Sequence, residues 1–170
     1  ISAGTRFSTG IQKDGTVVAC GYRPLKTEVE TWSEIVSISA FGSLVIGLKI
    51  DGTVVTAGEL NEKYRIETRN WEDIIAVSAG DLYIVGLRNN GTLVAQGYSG
   101  DGQMDIDDWT DIKAIDTGWR HTVGLTNSGE VKIAGLRHSD EELIKNDPRW
   151  HDIIAISAGG GYPGEPGEQG

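Results

Sequence analysis

Residues 71–97 read WEDIIAVSAGDLYIVGLRNNGTLVAQG, and this stretch decides the fold because the chain repeats it on both sides. Residues 32–58 read WSEIVSISAFGSLVIGLKIDGTVVTAG, and residues 109–135 read WTDIKAIDTGWRHTVGLTNSGEVKIAG. The phrase begins once more at residues 150–160, as WHDIIAISAGG. A period of roughly 40 residues indicates a repeat protein in which each unit buries its apolar face against a neighbour.

Several features of the repeat keep one register. Each unit opens with the pattern W-x-[E/D]-I, whose tryptophans are Trp32, Trp71, Trp109 and Trp150, at intervals of 39, 38 and 41 residues. A turn pair recurs as Asp14-Gly15, Asp51-Gly52, Asn90-Gly91 and Ser128-Gly129. A glycine ends the third segment of each unit, at Gly21, Gly58, Gly97 and Gly135. Because these features keep step with one another, each unit is expected to have the same structure.

Each unit contains three short segments typical of β-strands, as residues 74–79, 83–87 and 92–95 illustrate. Asn90-Gly91 favours a tight hairpin, because both central residues of such a turn need positive φ. The polar stretch before the next tryptophan is a candidate fourth, edge strand, and no window of about 11 residues shows sustained helical periodicity. The sequence predicts an all-β protein, a β-propeller of four repeats of about 38–41 residues with three to four antiparallel strands each.

The repeated phrase resembles the repeat of the regulator of chromosome condensation family, in its bacterial branch. The resemblance is carried by W-x-D-I-I-A-I-S-A-G, H-T-V-G-L and D-G-T-V-V-A-x-G, and it covers residues 1 to about 160. It implies a β-propeller, usually of seven blades, and a protein that works mainly as a platform for binding other proteins. The family's G-x-N-x-x-G-Q segment is approached only by residues 97–103, and its histidine is kept only at His121.

The repeats divide the chain into units of about 1–37, 38–76, 77–114 and 115–155, with the start of a fifth at 156. Four units cannot close a ring of seven, and an open arc exposes the faces of its two end blades. We therefore expect a partial propeller or a fragment of a larger one. The alternatives are self-association of two copies to complete the propeller and a tighter curl of four blades.

Residues 161–170 read GYPGEPGEQG and are expected to form a separate tail. Proline cannot donate to a central strand ladder, so the strand pattern ends here. Glycine at every third position is typical of a collagen-like triple helix, and a flexible Gly/Pro-rich linker is the alternative. A longer collagen-like stalk would make the parent protein a trimer.

The balance of charge indicates the class of partner. The chain carries 15 Lys and Arg against 25 Asp and Glu, for a formal net charge of −10 at pH 7. Nucleic-acid binding depends on cationic groups that displace counterions from phosphates, and anionic membranes also attract basic surfaces. No apolar run approaches the roughly 20 residues of a membrane span. We expect a protein partner, and neither a nucleic acid nor a membrane.

No arrangement of residues predicts a catalytic, cofactor or metal site. The histidines, His121, His138 and His151, lie at different positions of the repeat and lack zinc-binding spacing. The acidic residues within 101–108 lack the spacing of a calcium loop. Cys20 stands where other units have alanine or glutamine, with no adjacent base to activate it. The prediction is a protein that is not an enzyme and holds no cofactor.

The candidate functional residues are aromatic and arginine side chains in the loops that follow the first and third strands of each unit. If both sets of loops open at one end, they form a surface with the composition of protein-binding hot spots. Trp119 is the strongest candidate, because the other units have Thr5, Gly42 and Asp81 at its position. The full set comprises Trp119, Arg120, Tyr83, Phe41, Phe7, Arg6, Tyr22, Arg23 and Tyr98.

Other recurring side chains are expected to serve the structure. The tryptophans that open the repeats are predicted to pack between adjacent blades, where a large apolar ring is buried. Packing between blades is also the alternative for Phe7, Phe41 and Tyr83, and His121 is expected to be a structural residue at the start of a strand.

The function predicted from these features is a non-enzymatic protein-interaction scaffold. The first alternative is a structural display head on a collagen-like stalk, such as a surface or phage-fibre protein. The second is guanine nucleotide exchange on a small GTPase, which only the resemblance to the eukaryotic member of the family implies.

Overall fold

The computed structural model describes residues 1–58, 66–135, 147 and 149–159 of the chain. The predicted tail, residues 161–170, lies outside this part. The described strands are β1 (Ser2–Ala3), β2 (Phe7–Ile11), β3 (Val17–Gly21), β4 (Ile35–Phe41), β5 (Leu44–Lys49), β6 (Val54–Gly58), β7 (Ile74–Ala79), β8 (Tyr83–Arg88), β9 (Leu93–Gly97), β10 (Ile112–Thr117), β11 (Thr122–Thr126) and β12 (Val131–Ala134). The helix within the described residues, α1, spans Arg23–Val29.

The described strands form four antiparallel sheets of three strands, taken in order along the chain. We call them the first (β1–β3), second (β4–β6), third (β7–β9) and fourth (β10–β12) blades. The first strands of neighbouring blades contact one another, which places them at the centre of the propeller. The all-β, propeller prediction is confirmed, with three strands in each blade among the described residues.

The middle strands explain why the repeats contain short apolar runs. In β5, Ile46 faces the third blade and Val45 faces the first, and both are fully buried. A strand that is covered on both faces reads as continuously apolar rather than alternating. The three described hydrophobic clusters therefore lie between blades, and each contains residues of two of them.

Each opening tryptophan that the structure buries lies over a glycine in the middle strand of its own blade. A Cβ atom built on Gly86 would lie only 2.7 Å from Cζ3 of Trp71. The same pairing recurs as Gly47 with Trp32 at 2.9 Å and Gly124 with Trp109 at 2.7 Å. These rings are 6–9 % exposed and belong to the clusters between blades. The glycine leaves room for the ring, and the ring fills the space between two adjacent blades.

A hydrogen bond at the same repeat position joins each blade to the next. The Oγ atom of Ser39 accepts the backbone N–H of Ala79 at 3.0 Å, and that of Ser78 accepts the N–H of Thr117 at 3.1 Å. The series continues with Ser2 and Ala40 at 2.9 Å and with Asp116 Oδ2 and Ala158 at 2.7 Å. These N–H groups lie on the inner edge of the first strands, where a neighbouring side chain replaces a strand as the partner.

The recurring acid of W-x-[E/D]-I has a backbone role. Asp111 has φ of 62°, and Glu34, Asp73 and Asp152 have values of 62°, 57° and 56°. Aspartate adopts this left-handed conformation more readily than most residues. The chain then turns so that the N–H of Ile112 donates to the carbonyl of Gly91, in the hairpin of the preceding blade, at 3.1 Å. The acid therefore shapes the seam at the hairpin end of the propeller.

The connection after the first blade differs from the candidate edge strand of the sequence analysis. It forms helix α1, whose Leu25 and Val29 are buried against the first cluster. Two apolar residues four positions apart lie on one helical face, so a single turn is enough to bury both. A helix of seven residues is too short for a search of longer windows to detect.

Residues 153–158 lie where the first strand of a next blade would lie. They keep both contacts to the preceding blade: the bond of Ala158 to Asp116, and the bond of the Ile153 N–H to the Gly129 carbonyl at 3.1 Å. They pair with none of the described strands. Trp150 accordingly stays 42 % exposed, because no described middle-strand glycine lies beneath it.

Replacing Gly86 with alanine should destabilise the third blade by about 1–3 kcal/mol, because the new methyl group overlaps the Trp71 ring. The control is Gly10→Ala at the equivalent position of the first blade, where an added Cβ meets nothing closer than 3.4 Å. The midpoint of urea unfolding measures both effects. Equal midpoints for the two variants would contradict the role given to the tryptophan seam.

Candidate functional site

Two sets of loops open at the same end of the propeller, which we call the loop face. In a three-stranded meander, the loop after the first strand and the connection after the third leave from one end. The N–H of Tyr22 donates to the carbonyl of Arg6 at 3.0 Å, and that of Tyr98 to the carbonyl of Leu82 at 2.8 Å. The candidate loops are therefore neighbours, and the hairpin turns lie at the other end.

Phe7 and Tyr83 lie beneath the loop face. Tyr83 is fully buried and Phe7 nearly so, and each ring covers a glycine three residues earlier, Gly4 or Gly80. The Tyr83 hydroxyl donates to the carbonyl of His121 at 2.6 Å, and burial raises the pKa of this phenol. These positions favour the alternative in which both rings pack between blades: Tyr83 is inaccessible, and Phe7 offers only a small exposed part of its ring to the loop face.

His121 occupies the equivalent position in the fourth blade. Its ring lies over Gly118, as the aromatic rings lie over their glycines. Burial lowers the pKa of His121, and the charge of Asp116 only partly opposes this. The lowered pKa favours the neutral imidazole, which packs as the aromatic rings do in the equivalent positions.

Arg120 is the centre of a cluster of side chains from two blades. Its guanidinium carbon lies 4.2 Å from the centroid of the Trp119 ring and 5.6 Å from that of Tyr98. Its Nη1 atom donates to Oδ2 of Asp101 at 3.0 Å. Stacking on two rings and pairing with one carboxylate hold the arginine in place. Three residues of the candidate set thus meet at one point.

The loop of residues 97–103 supplies half of this cluster. Gln103 is fully buried, and its Oε1 atom accepts the N–H of Asp101 at 3.0 Å. Its carbonyl accepts the hydroxyl of Thr122 at 2.7 Å, which ties the loop to the fourth blade. Gln103 therefore fixes the positions from which Tyr98 and Asp101 reach Arg120.

A groove of two adjoining hollows runs across the loop face beside this cluster. The first hollow, of about 380 Å³, is lined by Ala3, Gly4, Thr5, Phe41, Gly42, Asp81 and Trp119. The second, of about 410 Å³, is lined by Thr5, Arg6, Phe7, Tyr22, Gly42, Ser43 and Asp81. Thr5, Gly42 and Asp81 belong to both, so the hollows share a wall. Together with Trp119 these are the equivalent loop residues of all four blades.

Asp81 provides the negative charge of the groove. Burial raises the pKa of its carboxyl, while a hydrogen bond from Trp119 and the charge of Arg120 partly oppose the increase. Its backbone N–H donates to the Trp119 carbonyl at 3.2 Å. The carboxylate is thus partly desolvated and held next to the indole.

The remaining candidates lie on or near the groove. Arg6 is exposed and Tyr22 is 36 % exposed, and both line the second hollow. Phe41 is partly buried: it lines the first hollow and also packs on the second hydrophobic cluster. Arg23 is the first residue of α1. Thr5, Asp81 and Asp101 were missed by the sequence analysis as site residues.

Two negative findings apply to the described residues alone. No group of three or more His, Cys, Asp or Glu side chains in the described ranges is placed to hold a metal ion. None of the described helices is long and apolar enough to cross a membrane.

Solved structures are similar to this chain in fold, whereas no family model and no curated protein matches its sequence. The ectodomain of receptor kinase CR4 from Physcomitrella patens gives a TM-score of 0.72 at 16 % identity, over 94 % of this chain and 47 % of that chain. The Crinkly WD40 ectodomain of the Arabidopsis thaliana receptor kinase ACR4 gives a TM-score of 0.69 at 21 % identity. The match covers 79 % of this chain and 49 % of that chain.

A third structure carries the family resemblance. Prp20p from Saccharomyces cerevisiae, the yeast RCC1 protein, gives a TM-score of 0.63 at 16 % identity, over 79 % of this chain and 43 % of that chain. The chain therefore spans about half the length of the solved chains it matches. At these identities the likeness shows the fold alone, which is a propeller of the RCC1 type. The bacterial branch and the collagen-like tail stay predictions.

Asp81→Asn should change the pH dependence of stability in a defined direction. The pKa of Asp81 in the folded chain lies above the ordinary value of 3.8, so ionising it costs stability. That cost is absent below pH 3.8 and complete above the folded pKa. The unfolding midpoint of the variant should therefore rise relative to the unsubstituted chain as the pH increases through this range.

Asp51→Asn is the matched control, because the bonds from Thr53 lower the pKa of Asp51. Its carboxylate contributes stability above pH 3.8 that is lost as the pH falls through the folded pKa. The unfolding midpoint of Asp51→Asn should therefore fall relative to that of the unsubstituted chain as the pH rises through this range. A difference of the same sign for both variants would contradict the environment described for Asp81.

Proposed function

We propose that this chain is a non-enzymatic protein-interaction scaffold that binds a protein partner with its loop face. The observation that supports this most is the Arg120 cluster at the edge of the groove, where an arginine stacks on Trp119 and Tyr98. Tryptophan, tyrosine and arginine are the residues that most often dominate the binding energy of protein interfaces.

The rigidity of the cluster supports the same function. Ordering a long, flexible side chain on binding costs free energy, and Arg120 is already held by two rings and by Asp101. The groove beside it adds a concave surface to which all four blades contribute. A partner would thus meet a preformed surface that needs little rearrangement.

The similar structures agree with this proposal at the level of fold. Prp20p binds Gsp1p and histones, and it has also been solved with Kap60. A propeller of this type thus serves that yeast protein in binding other proteins. Guanine nucleotide exchange by this chain rests on the same analogy, and no residue of the groove or the Arg120 cluster favours it over simple binding.

The double variant Trp119→Ala/Arg120→Ala should lose the partner. With the 170-residue chain immobilised and native lysate applied, proteins retained by the unsubstituted chain should be retained at least about tenfold less, because truncating hot-spot residues costs about 2 kcal/mol or more. Quantitative mass spectrometry of the retained proteins is the measurement.

The control variant is Lys13→Ala/Asn89→Ala, which alters two exposed residues at the hairpin end. It should retain the same proteins as the unsubstituted chain. Circular dichroism establishes that all variants are folded. An unchanged set of retained proteins for the folded Trp119→Ala/Arg120→Ala chain would remove the loop face as the binding surface.

A further inference from the structure

The first hollow of the groove combines aromatic walls with a carboxylate. Phe41 enters from the end of β4, and Trp119 and Asp81 enter from the loops of the fourth and third blades. Gly42 lies beside the acid, since a Cβ built there would be in ordinary contact with Asp81 Oδ1, at 3.5 Å. Aromatic faces and a partly desolvated carboxylate both attract a cation.

No described cation neutralises Asp81 directly. The ion pairs recorded among the described residues involve other acids, and Arg120 pairs with Asp101. Arg120 acts on Asp81 only through its charge, and Arg6 lines the second hollow together with Asp81 but forms no recorded ion pair with it. A carboxylate that is partly out of water and forms no direct ion pair gains more from an added cation than an exposed carboxylate does. The first hollow is therefore electrostatically complementary to a positively charged group.

The geometry favours an ammonium ion over a guanidinium group. A guanidinium recognises tryptophan mainly by stacking on its face, and Arg120 already occupies one face of Trp119 at 4.2 Å. An ammonium ion is compact and donates in three directions, so it can reach the Asp81 carboxylate without such a stack. The open second hollow next to it leaves room for the chain that carries the ammonium group.

We propose that the first hollow binds the ammonium group of a lysine side chain presented by a protein partner. This inference rests on the proposed function and names the chemistry by which the partner is held. The formal charge of −10 on the chain also favours a basic partner. Asp81 pairs with the ammonium ion, and Phe41 and Trp119 enclose its methylene carbons.

The test is a titration of the full 170-residue chain with the tripeptide acetyl-Gly-Lys-Gly-amide, followed by two-dimensional NMR. The backbone amide signals of Gly42 and Asp81 and the indole N–H signal of Trp119 should move in a saturable way. The same tripeptide with an acetylated lysine should leave them unmoved, because the charge is gone. Asp81→Asn should weaken the binding at least about tenfold, as expected for a lost charge-assisted pair.

Asp51→Asn removes the same charge at the hairpin end and should bind as the unsubstituted chain does. It resembles the natural third blade, in which Asn90 occupies the equivalent turn and its Oδ1 accepts the N–H of Thr92 at 3.0 Å. Equal weakening by Asp51→Asn and Asp81→Asn would overturn the proposal, because the effect would then come from net charge and not from the hollow.

Three further results would overturn it. The first is no response of the folded chain's signals to the lysine tripeptide. The second is equally tight binding of acetyl-Gly-Arg-Gly-amide, and the third is tighter binding of tetramethylammonium chloride than of the lysine tripeptide. The last result would assign the hollow to a free quaternary ammonium ligand. If any of these occurs while Trp119→Ala/Arg120→Ala still loses its protein partner, the proposed function stands and the lysine assignment alone is wrong.

Discussion

The structure depends on the contact between the opening tryptophan of a repeat and the glycine in the middle strand of the same blade. A single sheet of three short strands has two apolar faces and cannot bury either of them alone. The tryptophan ring fills the space left by the glycine, and the neighbouring blade covers it. The hydrogen bonds that Ser39 and Ser78 accept from backbone N–H groups of the next blade then fix the distance between the central strands.

This packing determines where function can lie. Both faces of the middle strands β5 and β8 are used for stacking, and at the hairpin end the turns of the first, third and fourth blades bond to the segment that follows them. At the loop face the contacts between blades differ from pair to pair: Thr5 N–H donates to the Gly42 carbonyl, whereas the third and fourth blades add bonds such as that from Arg120 to Asp101. The side chains there are therefore able to vary from unit to unit while the backbone repeats. Thr5, Gly42, Asp81 and Trp119 illustrate this: they differ in size, charge and polarity at one equivalent position.

The sequence predicts the parts of the fold that depend on local pattern. The strands, the hairpin turns and the four blades follow from spacing, β-branched residues and pairs such as Asn90-Gly91. Helix α1 could not be predicted in this way, because what stabilises it is the packing of Leu25 and Val29 on the first cluster, which depends on other strands.

The candidate site was predicted only in part for the same reason. Trp119, Arg120 and Tyr98 meet as a cluster, but the burial of Phe7 and Tyr83 depends on neighbouring blades. A signal for it was present, since in three of the four units an aromatic ring or histidine follows a glycine by three residues, at Gly4, Gly80 and Gly118. The unit with Leu44 instead has Phe41 in place of the glycine. The charge environment of Asp81 arises between blades, and no local pattern indicates it.

Native-state hydrogen exchange of the Ala79 and Thr117 amides tests the central claim most directly. Each of these N–H groups lies on the inner edge of a first strand and bonds to a serine of the preceding blade, at 3.0 and 3.1 Å. If the blades are held together as described, both amides are protected as strongly as the amides of the buried middle strand β8. If these two amides exchanged as fast as unprotected amides while β8 stayed protected, the sheets would be stable without packing against one another. That result would contradict the account.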